Sequence, residues 1–141
     1  RFGYEDDKPT KVLESILVSG SNNVVLSVSF SEKADTLFRE KDYENAARLF
    51  ELAIEYDNSD YIFYENAAIS YYLADNYENA EIYFDRVINQ FKPRNGKSEF
   101  YKGIMLVELD RNEEACVLLK KAAEFKFSND GSLQVYNTYC N

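Results

Sequence analysis

Apolar residues along this chain recur at three- and four-residue spacings, the period of helices with one buried face. Within 65–73, Glu65, Ile69, Tyr72 and Leu73 fall at i, i+4, i+7 and i+8, and Ala68 with Tyr71 forms a neighbouring stripe. A polar break at Asp75–Asn76 interrupts the pattern. Ala80, Phe84, Val87 and Ile88 then resume it with the same spacing. The spacing predicts two helices joined by a tight turn. Equivalent pairs are predicted over 29–40 with 43–56, and over 97–109 with 112–126. Ser29 and Glu32 have the separation of a capping box for the first helix.

These pairs are copies. Laying 34–57 over 68–91 gives seven identities in 24 positions: Ala34/Ala68, Tyr43/Tyr77, Glu44/Glu78, Asn45/Asn79, Ala46/Ala80, Phe50/Phe84 and Ile54/Ile88. Average composition would match roughly one or two. A third copy follows 35 residues on, mapping Ala68 to Gly103, Tyr71 to Leu106, Ala80 to Ala115 and Phe84 to Leu119. Its extra residue lies between Phe84 and Gly103, where residues 92–96 supply a loop. The logic is steric. Small residues at 34, 68 and 103, facing Ala46, Ala80 and Ala115, let paired helices approach closely, and Phe50, Phe84 and Leu119 fill the space one turn on.

A helix-turn-helix unit of about 34 residues, carrying these small and bulky positions with a turn-adjacent Tyr43 or Tyr77 and then Ala53, Val87 or Ala122, resembles the tetratricopeptide repeat. The third copy departs by having Asn112 in place of the tyrosine, and the usual proline is missing at Asn58. The resemblance implies an all-α, right-handed solenoid of antiparallel helix pairs. Its repeats would span 27–60, 61–95 and 96–127, after an N-terminal helix and linker (1–26) and before a C-terminal capping helix (128–141).

At the flanks, Pro9 suits a first helical turn, Val12, Leu13, Ile16 and Leu17 form an apolar face, and Gly20 is a stop signal. Residues 23–30 are expected to be linker plus helix start, with a short extended segment as the rival, because Leu26, Val28 and Phe30 alternate. Leu133, Tyr136 and Cys140 mark the last helix, with Ser128 or Asp130 as its cap.

Composition narrows the chemistry. Hydrophobic residues at 45% of 141, with 12 Tyr and 10 Phe, specify one packed domain, and only 5 Gly and 2 Pro favour helices. A net charge of −9 leaves no basic face for nucleic acid or anionic lipid. No apolar run is long enough to span a bilayer. The absence of histidine removes Ser–His and Cys–His nucleophile pairs and His-ligated zinc. Asn95-Gly96-Lys97-Ser98 echoes the end of a phosphate-binding loop, but Phe91 stands where the earlier glycine belongs. Paired acids at 6–7 and 113–114 lie near expected helix starts, where the helix dipole favours them. Cys116 and Cys140 are expected as two thiols on separate helices, with a bridge between those helices as the alternative. No enzyme activity, cofactor or metal is expected.

In related repeat domains a stripe on the first helix of each pair lines a concave groove. By the same spacing the stripe here is Ser31, Asp35, Phe38 and Arg39, then Glu65, Ile69, Tyr72 and Leu73, then Phe100, Ile104, Val107 and Glu108, with Asn66 alongside. Phe38, Tyr72 and Val107 also suit packing between helices. Some members of the family grip an acidic tail with Lys, Asn and Arg. Asn66 and Lys97 match that clamp, whereas Ser31, Asp35 and Tyr101 do not. Residues 27–60 hold four basic and nine acidic side chains, a net of −5. The expected partner is therefore another protein, presenting an apolar segment with basic residues. A secretion or assembly chaperone holding an extended client is the alternative, as is a module of a larger complex. The first residue, Arg1, fits removal of a leader or an upstream domain, which leaves cytoplasmic, periplasmic and secreted locations open.

Overall fold

A computed structural model describes residues 20–141. The expected helix around Val12–Leu17 and the acids at 6–7 lie outside the described residues. Those residues form seven α-helices and no strands: α1 (Gly20–Arg39), α2 (Tyr43–Tyr56), α3 (Tyr61–Leu73), α4 (Tyr77–Arg86), α5 (Lys97–Glu108), α6 (Asn112–Glu124) and α7 (Gly131–Cys140). Each helix packs on its chain neighbour, and α3 also meets α5.

The equivalent small positions are all buried. Ala34, Ala68, Ala46, Ala80 and Ala115 are fully covered, as are Phe84, Leu119, Val87, Leu106, Ala53 and Ala122. Gly103 demonstrates the fit most sharply. A Cβ there would sit 2.7 Å from Leu119 Cδ2 and 3.5 Å from the Ala115 carbonyl. Leu119 therefore has to move to admit a larger residue at this position.

The turns repeat as well. Lys41, Asp75 and Asp110 adopt left-handed backbone, with φ of 65°, 63° and 62°. After each, an amide reaches back five residues: Asp42 to Leu37, Asn76 to Tyr71 and Arg111 to Leu106, at 2.8–2.9 Å. This is the Schellman closure, which satisfies carbonyls left over at a helix end. Asn76 then caps α4 by accepting from the Asn79 amide. An irregularity does lie between Phe84 and Gly103, but it begins before the loop at 92–96. There α4 runs into a π-helical turn (Val87–Phe91), closed by the Lys92 amide on the Val87 carbonyl at 2.8 Å.

Three expectations are revised in whole or in part. Helix α1 runs through residues 23–30, so they are neither linker nor strand, and Ser29 lies mid-helix and caps no helix start; the helix that Gly20 was expected to end lies outside the described residues. Ser27 of α1 is fully covered, and its hydroxyl donates to the Val24 carbonyl at 2.7 Å. Ser27, Ala34 and the half-buried Phe30 and Leu37 give helical spacing that a count of apolar residues misses. Secondly, of the two caps expected for α7, Asp130 does hold the N-cap position but makes no side-chain bond there, and Ser128 lies in the preceding turn. Thirdly, Cys116 and Cys140 are joined in a disulfide that ties α7 to α6.

Candidate functional site

The predicted stripe runs across α1, α3 and α5, which share one apolar cluster. Phe38 from α1, Ile69 and Tyr72 from α3, and Met105 and Tyr101 from α5 all join it. The stripe divides into a buried part and an open part. Glu65 and Ile69 are only 4% and 5% exposed, so they pack helices together and offer nothing to a ligand. Glu65 accepts from the Ser98 hydroxyl at 2.8 Å, which bonds α3 to α5. Asp35, Arg39, Leu73 and Glu108 are exposed, and Phe38, Asn66, Tyr72, Phe100, Ile104 and Val107 are half-buried. The Phe100 ring lies 5.5 Å from Tyr101 and 5.2 Å from Phe127.

One turn towards the helix starts, Val24 and Val28 on α1 and Ile62 on α3 are 48%, 44% and 46% exposed. They continue the stripe at helical spacing, and stepping back three or four residues from Ser31 and Glu65 finds them in the sequence. The open surface therefore combines aliphatic residues at one end with Leu73, Asp35 and Glu108 further along.

Glu108 organises the far end. Tyr72 donates to its Oε2 at 2.6 Å and Tyr77 to its Oε1 at 2.8 Å. The two rings stack, with centroids 5.7 Å apart and planes 30° from parallel. The hydrogen bond to Glu108 is the main reason the Tyr77 phenol is pushed up to about 12, with burial and the negative charges of Glu108 and Asp75 adding to it. Burial raises Tyr72 first, and the bond to Glu108 second. Both phenols therefore stay protonated donors at neutral pH.

A second glutamate does the same on another seam. Glu51 of α2 accepts from Tyr71 at 2.7 Å and from Tyr83 at 2.6 Å, linking α2 to both helices of the next pair. Burial is the chief cause that holds these two phenols above the usual range, followed by the bonds to Glu51. Further on, Arg111 clamps Glu81 with two bonds of 2.9 and 2.8 Å, and Lys102 reaches both Glu81 and Asp85. The bonds from Arg111 hold the Glu81 carboxyl below the ordinary range, against an opposing effect of burial. The two tyrosine–glutamate networks did not show in the sequence, because a tyrosine hydroxyl adds no periodic signal to its ring.

Among the described residues no cluster of three or more acidic or cysteine side chains is arranged to hold a metal ion. No helix among them is long and apolar enough to cross a membrane. Comparison with protein-family models and with curated proteins finds no match to this chain, so the stripe is interpreted from its own residues.

Proposed function

We propose that the chain is a protein-binding module of the tetratricopeptide type, and that its inner stripe receives an apolar segment bearing basic residues. One observation carries the proposal: along the stripe Val28, Ile62 and Leu73 are exposed apolar side chains, and Asp35, Glu108 and the cation Arg39 are exposed charged ones. Apolar patches rimmed by polar groups mark interaction sites. The acidic rim favours cationic partners and disfavours acidic tails.

Replacement of Ile62 and Leu73 by glutamate tests it. Both side chains are exposed, so the double variant keeps its melting temperature within a few degrees, by the small effect of surface changes. Binding of short leucine-rich peptides carrying lysine and arginine, measured by fluorescence anisotropy, falls at least about tenfold, a loss of about 1.4 kcal/mol. Binding to the parent chain weakens with added salt, because exposed charges are screened over about 10 Å at 0.1 M. Preference for acidic peptides, or unchanged binding by the variant, overturns it.

A further inference from the structure

Among the described residues Glu108 has no ion-pair partner, unlike Glu81, which Arg111 and Lys102 hold. The charges that act on Tyr72 and Tyr77 are Glu108 and Asp75, both negative. By contrast, Arg48 acts on Tyr71 and Arg86 on Tyr83 at the Glu51 seam, and Glu81 has Arg111 and Lys102. A carboxylate offers about four lone-pair sites. The two phenols occupy one on each oxygen of Glu108, and the side chain is exposed, so the remaining sites face solvent.

We propose that Glu108, held between Tyr72 and Tyr77, is the anchor for an arginine side chain in the partner segment. The inference rests on the stripe being the binding surface, and it names the group recognised there. Three features match a guanidinium in particular. Its planar fork bonds a carboxylate through two nitrogens, and both Glu108 oxygens are already fixed in orientation by the phenols. Its flat, weakly hydrated face stacks on aromatic rings, and the Tyr72–Tyr77 pair provides two, bonded at their hydroxyls to the same carboxylate. Its aliphatic stem needs apolar cover. Exposed Leu73 follows Tyr72 in the chain, and half-buried Val107 precedes Glu108. Lysine satisfies the charge alone, so it binds more weakly. An acidic residue at this position is repelled by Glu108.

Selection of random peptides displayed on phage against the 141-residue chain supplies the probe without a known partner. The selected peptides are expected to be apolar with a recurrent arginine. In a synthetic copy, replacing that arginine by citrulline, which keeps the shape and removes the charge, weakens binding about tenfold or more, and lysine gives an intermediate loss. In Glu108→Gln the arginine and citrulline peptides bind alike. The citrulline comparison on the parent chain stands without any variant. Apolar peptides without an arginine preference, or an arginine effect that survives Glu108→Gln, overturn the anchor while leaving the binding surface intact. Selection of acidic peptides, or of none, overturns both.

Discussion

Glu51 and Glu108 each accept two tyrosine hydroxyls, yet they do different work. At the Glu51 seam the Tyr71 ring is buried and stacks on Tyr83 at 6.0 Å, and arginines stand near both phenols. The arrangement is partly buried, with cations as well as anions acting on its phenols. At Glu108 the carboxylate is exposed and its charged neighbour, Asp75, is also acidic. The same bonding pattern serves packing where it is covered and compensated. Left open and uncompensated, it remains available to a cation.

The largest test removes each carboxylate in turn. Glu51→Ala strands two phenols on a covered seam, where each unsatisfied group costs about 1–3 kcal/mol. A loss near 3 kcal/mol is expected in urea unfolding. Glu108→Ala lets its phenols turn to water, so the loss stays below about 1 kcal/mol. Equal losses would abolish the distinction between the two sites.

Single hydroxyl deletions sharpen it. Tyr83→Phe is expected to cost about 1–1.5 kcal/mol and Tyr77→Phe about 0.5 kcal/mol by the same denaturation measurement. A reversed order would place the structural seam at Glu108.

Alkaline titration separates the sites spectroscopically. The Tyr77 phenol ionises near 12 in the folded chain against 10.0 for a free phenol. As pH rises past 10, the unfolded chain loses this proton first. Stability contributed by the bond below pH 10 is thus lost on the way to 12. Ultraviolet difference spectra should show Glu108→Gln moving Tyr77 back towards 10 while Tyr71 and Tyr83 stay put. Movement of all of them would mean the two clamps are one coupled network.

The smallest effect comes from Glu99, a carboxylate with burial but little compensation. Burial is the main cause that raises its proton affinity; its own amide and Lys121 oppose the rise, and Glu65 adds to it. The unfolded carboxyl ionises first as pH increases, so ionised Glu99 lowers stability above the ordinary carboxylate range. Glu99→Gln should therefore raise the melting temperature at pH 7 and leave it nearly unchanged in acid. Glu81, held low by Arg111, has the opposite sign: its contribution is present at neutral pH and disappears as acid protonates it. A destabilised Glu99→Gln at pH 7 would show that Lys121 compensates it after all.

Much of the helix pairing was legible because it depends on side-chain volume, which residue type reveals. Ala34, Ala68 and Gly103 announce a close approach, and Gly103 lies tight against Leu119. Backbone geometry was less visible. Lys41, Asp75 and Asp110 share a left-handed turn with no glycine to mark it. The start of α1 was hidden because Ser27 occupies a buried position with a self-satisfied hydroxyl. Glu65 and Ile69 fall on the outward stripe by spacing, but the approach of α5 covers them. Spacing gives a residue's direction from its own helix axis, and the neighbouring helix decides whether water reaches it.

The bond between Cys116 and Cys140 closes a covalent ring around the turn that includes the exposed, left-handed residues Lys126, Ser128 and Asn129. A trypsin cut after Lys126 would open that ring without parting the chain. The two fragments would migrate together until a reductant is added, and only then separate on a gel.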